Sequence, residues 1–324
     1  MLSKWHVHAQ GYVQEIMEMK DVRIDLVWDE DPIRGKEWAE EIGVAFEADI
    51  QKVLSNPDID AVVVNTPTTM HKDIIIKAAK NNKHIFTEKV LALTSDECEE
   101  IYREVSKNKV KLMVSLPRLT DKNYLYAETV VEEKLLGKIT MIRCRLAHNG
   151  AVSTKDHEEG WLPKRFFNEE ETGGGAMIDL GAHPIYLINR LAGKVESAFA
   201  LFNNVESNVD DNSVLVLKYE QDITGIVETS FLSYGSPFQF ELYGTEGTLL
   251  IENEDVFINS HHIDTEALTE KVEESKPLKN PLEQWVDAIK HDTPMTITKD
   301  DVCNLTLANE LALKSSCKKK LVKY

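Results

Sequence analysis

The sequence predicts an α/β protein of two domains: an N-terminal doubly wound parallel sheet, then a sheet-rich α/β half built mainly from antiparallel strands. Three observations carry that reading. The 324 residues exceed what a single core ordinarily holds. Up to Ser115, short apolar runs alternate with amphipathic stretches, the pattern of strands joined by crossover helices. After Arg118 the texture changes to strand-like segments separated by turn residues. The boundary is therefore placed at 118, giving domains of 1–118 and 119–324.

Within the first half, Val22–Trp28 (VRIDLVW) reads as a strand ending at Asp29, and Pro32–Ile42 as a helix stopped by Gly43. Ala61–Asn65 (AVVVN) is an almost unbroken apolar run, as expected of a strand buried on both faces. His71–Asn81 reads as a helix, His84–Thr87 (HIFT) as a short strand, Ser95–Asn108 as a helix and Val110–Ser115 as a strand. In the second half, a helix over 121–136 leads to strands at Ile139–Leu146, Val195–Phe202, Ser213–Tyr219, Ile223–Ser230, Phe238–Tyr243 and Thr248–Glu252. The turn residues Gly235-Ser236-Pro237 and Gly244-Thr245-Glu246-Gly247 suit an antiparallel meander. One helix, Met177–Leu191, interrupts the strands, and helices near Pro281–Lys290 and Asp300–Ser316 follow them, closing the second domain or returning to the first.

Composition narrows the function. A formal net charge of −18 denies the chain the basic face that nucleic acid or an anionic membrane requires. Cys98, Cys144, Cys303 and Cys317 are widely spaced and include no C-x-x-C pair, so neither a disulfide framework nor a zinc site is expected, and the thiols read as reduced. No apolar run reaches membrane-spanning or signal-peptide length, which predicts a cytoplasmic protein.

A doubly wound sheet binds its ligands at the carboxyl ends of its strands, and several polar residues fall there. Asp29 ends the second strand, where a carboxylate accepts both adenosine ribose hydroxyls and repels a 2′-phosphate. This favours NAD over NADP, although Arg34, five positions on, is able to accommodate a phosphate. Thr66-Pro67 follow AVVVN and His71 opens the next helix, leaving N–H groups suited to a dinucleotide; a capped structural turn is the plainer alternative. Glu88-Lys89 follow HIFT. A partly desolvated lysine there is placed to take the hydroxyl proton when a secondary alcohol gives up a hydride, whereas an isolated lysine after a strand is usually just solvated.

The run Thr172-Gly173-Gly174-Gly175-Ala176-Met177-Ile178-Asp179-Leu180-Gly181-Ala182-His183 adds weight. Three glycines let backbone approach closely, and Asp179 and His183 stand four apart on one face of the predicted helix. Such a pair orients one imidazole tautomer and presents a donor and an acceptor to a polyol, or serves as a buried structural couple.

The stretches NTPTTMHKDIIIKAAKNNKHIFTEKVLALT and GGGAMIDLGAHPIYLINRLAG, followed by DDNSVLVLKYEQDITGIVETSF and ELYGTEGTLLIE, resemble the glucose–fructose oxidoreductase/inositol dehydrogenase (Gfo/Idh/MocA) family over nearly the whole chain. Each motif is short, and the set is specific. The resemblance implies a Rossmann domain followed by an α/β domain with a large, mostly antiparallel open sheet that forms the interface of a homodimer or homotetramer. It also implies NAD(P)-dependent chemistry on a pyranoside, cyclitol or related polyol. By position, Lys89 matches the lysine of the family's E-K-P motif, and Asp179 and His183 match its D-x-x-x-H pair.

Three departures stand out. No G-x-G-x-x-G opens the chain; Leu2-Ser3 resembles the end of a first strand, with SKWHVH in place of the phosphate loop, and the native chain is expected to start upstream. Ser3, His6 and His8 are then the candidate cofactor contacts beside Glu88. The H-x-H pair has no visibly matched cysteine or carboxylate, so no metal site is expected. Val90 replaces the proline after Glu88-Lys89, and a cis bond there is costly without proline, so a different turn is expected. Tyr186 stands where many relatives carry a second acid, and with Arg118 it is assigned to the substrate side. The leading expectation is a dehydrogenase or reductase of a sugar, sugar acid or cyclitol. The alternative, a non-catalytic ligand sensor on the same fold, draws its support from the altered loop.

Overall fold

Residues Met1–Ser3 run through the middle of the first sheet. Leu2 bridges in parallel to Trp28 on one side and Val64 on the other. Its N–H donates to Val63 O at 2.8 Å, Ser3 N–H donates to Trp28 O at 2.6 Å, and Asn65 N–H donates to Leu2 O at 2.8 Å. The structure is a computed structural model that describes residues 1–155, 157–263 and 277–324. It divides into two compact units, Met1–Ser115 with Pro281–Ile297, and Leu116–Asn280 with Thr298–Tyr324. The helix Pro281–His291 thus returns to the first unit, one of the two placements the sequence left open, and its Trp285 ring sits 5.8 Å from that of Phe86.

In the first unit β1 (Leu26–Val27) pairs in parallel with β2 (Ala45–Phe46), and β3 (Ala61–Val64), β4 (His84–Thr87) and β5 (Leu112–Val114) form a second parallel set. Leu2 joins the two sets. The resulting order, β2, β1, Leu2, β3, β4, β5, is that of a doubly wound nucleotide-binding sheet, with its switch point between Leu2 and β3. The strand expected over Val22–Trp28 is regular only at Leu26–Val27.

Helix α1 (Ala9–Glu18) follows the N-terminal loop and buries Ala9, Tyr12, Val13 and Ile16. Helix α2 (Pro32–Ile42) starts where the Asp31 carboxylate accepts from the Ile33 and Arg34 N–H groups, with proline in its first turn. Ala9, Val13, Val27, Trp38 and Ala39 meet in one core cluster, fixing α1 and α2 against β1. Helices α3 (Ile50–Ser55), α4 (His71–Lys80) and α5 (Ser95–Lys107) complete the crossovers.

The second unit contains an eight-stranded sheet of β6 (Ile139–Ala147), β7 (Val195–Asn203), β8 (Asn212–Tyr219), β9 (Thr224–Ser230), β10 (Gln239–Gly244), β11 (Gly247–Glu252), β12 (Asp255–Ser260) and β13 (Val322–Lys323), in the order β12-β11-β10-β6-β9-β8-β7-β13. Only β6 and β9 pair in parallel, because β6 inserts between β9 and β10 and breaks the expected meander. Burial alternates strictly along β8, as it must where one face of a sheet is covered and the other is open. The helix Lys299–Lys318 packs along β7 and also contacts the helix Ala182–Ala192, which lies against β6 and β9. The open face carries Phe199, Leu201, Val214, Val216, Tyr243 and Phe257, all exposed.

The helix expected over Met177–Leu191 is broken. After α6 (Lys122–Glu132) and α7 (Glu169–Thr172) come a short α8 (Ala176–Asp179) and then α9 (Ala182–Ala192), divided at Leu180–Gly181. Asp179 and His183 therefore stand on consecutive helices, not on one face of one helix.

Candidate active site

The N-terminal loop spends its backbone donors inside the protein. Lys4 N–H donates to Asp29 Oδ2 at 2.8 Å, Trp5 N–H to Ser3 Oγ at 2.9 Å, His6 N–H to Asn65 O at 3.0 Å and His8 N–H to His6 Nδ1 at 3.3 Å. Ser3 is fully buried with φ at +73°, and Trp5 is buried beside it. A glycine-rich loop offers such N–H groups to a pyrophosphate; here these four are engaged within the protein. Asp29 is likewise engaged, at 1% exposure: Arg34 Nη2 lies 2.5 Å from Oδ1, Arg34 Nε lies 3.1 Å from Oδ2, and the Asp31 N–H donates to Oδ1 at 2.9 Å. Arg34 thus occupies both carboxylate oxygens of Asp29.

At the carboxyl end of β3 the structure leaves polar atoms unsatisfied. Both amide atoms of Asn65 and the hydroxyl of Thr66 are buried without a protein partner. Leaving such groups unpaired is costly, so their place at the switch point fits a dinucleotide lying across this edge. His71 is enclosed at 1% exposure, with Nδ1 2.9 Å from Val90 O and Nε2 3.1 Å from Thr66 O. It ties the turn after β3 to the turn after β4. Burial holds its pKa below the usual imidazole value, against the opposing pull of the two carbonyls and Glu88.

The Lys89–Val90 peptide is cis. Lys89 is 6% exposed and Glu88 1%. Glu88 gathers a cluster that was invisible in the sequence. Its Oε1 takes the Tyr12 phenol and lies 2.9 Å from His8 Nδ1 and 3.6 Å from His6 Nδ1, while Oε2 accepts the Lys89 N–H at 3.2 Å. Burial alone would raise this carboxyl; the positive charge of His6, His8 and Lys89 and the His8 hydrogen bond outweigh it and hold the pKa well below the ordinary range. Tyr12, whose hydroxyl also lies 2.8 Å from Ser115 Oγ, is raised by burial and by the Glu88 charge and stays protonated.

In the second unit His183 is half-buried, with Nδ1 2.8 Å from the Tyr186 hydroxyl. That hydroxyl accepts the Arg118 N–H at 3.2 Å. A phenol that accepts there has its proton for His183, which sets Nδ1 as an acceptor and fixes the ring. Tyr186 is fully buried, and burial raises its pKa, so it remains a donor. Tyr186 thus holds the Nδ1 side of the His183 ring. The Arg118 guanidinium lies 4.5 Å from the Phe238 ring centre.

Sequence reasoning missed Asp210 altogether. Its carboxylate accepts the N–H groups of Gly175 and Met177 and the hydroxyl of Ser213, each at 2.8 Å, and its carbonyl accepts the Ala176 N–H at 2.6 Å. It therefore clamps the start of α8, the helix that ends in Asp179. Gly175 is required: a Cβ there would stand 2.0 Å from Asp210 O.

A doubly wound domain with an acidic residue, Asp29, just past β1, a Glu-Lys pair at the end of β4 and an open-sheet second domain defines a nicotinamide-dependent oxidoreductase architecture. Residues 6–116 match the oxidoreductase family with NAD-binding Rossmann fold, and residues 124–250 match the GFO/IDH/MocA C-terminal domain. The scyllo-inositol 2-dehydrogenase (NAD(+)) of Bacillus subtilis is 31% identical over 257 residues, 76% of this chain and 70% of that protein. The myo-inositol 2-dehydrogenase of Thermotoga maritima is 26% identical over 230 residues, 68% of this chain and 65% of that protein. Among solved structures, the WlbA dehydrogenase of Chromobacterium violaceum with NADH and UDP-GlcNAcA superposes with a TM-score of 0.86 at 18% identity, over 100% of this chain and 94% of that one. The chain belongs to the GFO/IDH/MocA oxidoreductase family and carries its NAD-binding Rossmann fold.

Proposed function

We propose that this protein moves a hydride between the carbinol carbon of a sugar, sugar acid or cyclitol and NAD, with NADP the lesser partner, and that Lys89 transfers the accompanying proton. The observation that carries the reading is Lys89 itself, 6% exposed directly after β4 and beside Glu88, in a Rossmann domain of this family. NAD, when bound, supplies the two-electron acceptor. Lys89 Nζ takes the hydroxyl proton as the carbon–hydrogen bond breaks, and returns it in the reverse direction. His183, fixed by Tyr186, and Asp179, fixed through α8, position the substrate hydroxyls, with Arg118 on the same side of the task. Asp29 takes the adenosine ribose; Thr66 and Pro67 serve the cofactor at the end of β3, His71 serves it by holding the Val90 carbonyl, and Ser3, His6, His8 and Glu88 serve it by shaping the loop beside it.

The inositol dehydrogenase relatives favour a small polyol as substrate. The exposed apolar stripe on the open sheet supports a homodimer or homotetramer. Among the described residues no helix is long and apolar enough to cross a membrane, and all four cysteines are free, which supports a cytoplasmic location.

Lys89→Ala tests the assignment. Turnover should fall by about 10²–10⁴-fold, the usual worth of a general base, with NADH affinity retained. Turnover at the wild-type rate refutes the role.

A further inference from the structure

We propose that His6, His8 and Glu88 form a binding site for a divalent transition-metal ion of the zinc or cobalt class. Each of the three side chains offers one ligand atom, and these atoms lie within 4.8 Å of one another. Two imidazoles and a carboxylate are the donor set that borderline-soft divalent ions prefer, and bonds of about 2.0–2.2 Å ask only for a modest closure of this triangle. His8 is half exposed, and its Nδ1 already lies 2.9 Å from Glu88 Oε1, so coordination exchanges that hydrogen bond for two bonds to the ion. His6 Nδ1 lies 3.3 Å from the His8 N–H, so coordination either breaks that contact or uses Nε2.

The surroundings are built as metal sites are built. Glu88 is oriented by the Tyr12 phenol and the Lys89 N–H, and His6 is anchored by its own N–H to Asn65 O at 3.0 Å. Such outer contacts fix ligands before an ion arrives. Glu88, at 1% exposure, is a buried carboxylate that needs positive charge nearby. The N-terminal dipole of α1 opposes a cation, but direct coordination by a carboxylate outweighs it. With three protein ligands and one side open at His8, a fourth position remains for water or an incoming oxygen ligand, as in sites that do more than hold a fold. The site lies at the amino end of α1, where the loop's own donors are already spent.

The test uses the full chain, stripped of metal by a chelator and free of nucleotide, titrated with Co²⁺ and followed by its visible absorption. One equivalent should give saturable bands of a four- or five-coordinate nitrogen–oxygen site, and Zn²⁺ should displace them. His8→Ala, at a half-exposed position, should weaken binding by more than about 100-fold, beyond the range of outer-contact changes. Glu88→Gln should do the same, provided circular dichroism shows it folded. His262→Ala, which removes an exposed imidazole paired with Glu246, should change nothing. A wild-type protein without a saturable one-equivalent spectrum overturns the proposal, as does a His8→Ala protein that keeps the wild-type spectrum and affinity.

Discussion

Replacing Gly175 by alanine puts the clamp on α8 under direct strain. The new Cβ would lie 2.0 Å from Asp210 O, 2.9 Å from Asp210 C and 2.8 Å from Val209 Cγ2. Two of these three are backbone atoms, which do not swing aside as a side-chain end would. Bringing the first contact to an ordinary separation requires the segment that leads into β8 and the start of α8 to part by more than about 1 Å, and such overpacking costs about 1–3 kcal/mol. The same movement stretches the bonds from Gly175 N–H, Ala176 N–H and Met177 N–H to Asp210. Asp179 ends that one-turn helix, and an error of about 1 Å at a positioning group costs on the order of 100-fold in turnover. Urea denaturation should therefore show the stability loss, and steady-state kinetics with an inositol should show lower kcat/KM without loss of NADH affinity. Gly11→Ala is the control: its Cβ would meet nothing within 4 Å in the interior of α1, so it should gain about 0.5–1 kcal/mol. A Gly175→Ala protein with wild-type stability and kcat/KM refutes the reasoning.

Further outcomes follow from the other contacts. Tyr186→Phe removes the donor to His183 and leaves the Arg118 N–H without its acceptor; it should cost about 1–3 kcal/mol in denaturant unfolding and lower kcat while NADH affinity holds. His71 is buried with a depressed pKa, so the unfolded chain binds a proton that the folded chain refuses. Its contribution to stability is therefore complete above about pH 6.5 and declines as the pH falls below that value, and the His71→Gln variant should show a shallower loss of stability from neutral to mildly acidic pH. Leu201→Glu, on the open sheet face, should reduce the mass measured by light scattering to that of a smaller assembly, and an unchanged mass would remove this face from the interface.

The first unit was legible where burial is two-sided. AVVVN and HIFT became β3 and β4 because parallel strands covered on both faces carry unbroken apolar runs. VRIDLVW was overread, since apolar content alone does not show how far a strand keeps its partners; only Leu26–Val27 pair regularly. The break between α8 and α9 was signalled by Pro184, which sits in the first turn of α9, the place where proline begins a helix rather than continuing one. The continuous 3.6-residue spacing of Asp179 and His183 masked it. The Glu88 cluster was illegible for another reason. His8 and Glu88 lie 80 residues apart, Asp210 lies 35 from Gly175, and only the folded sheet brings either pair together. Arg34 reads in sequence as able to accommodate a phosphate; in the fold its guanidinium pairs with Asp29 and Glu30 of its own turn.

The central claim is direct hydride transfer between a polyol carbon and NAD with Lys89 carrying the proton. It is tested by incubating scyllo- or myo-inositol, deuterated at its carbinol carbons, with NAD and the enzyme, then locating the label. The account predicts deuterium at the nicotinamide C4 of the NADH formed by the wild type, and almost none formed by Lys89→Ala. Label released to water, or equal transfer by both proteins, would contradict it.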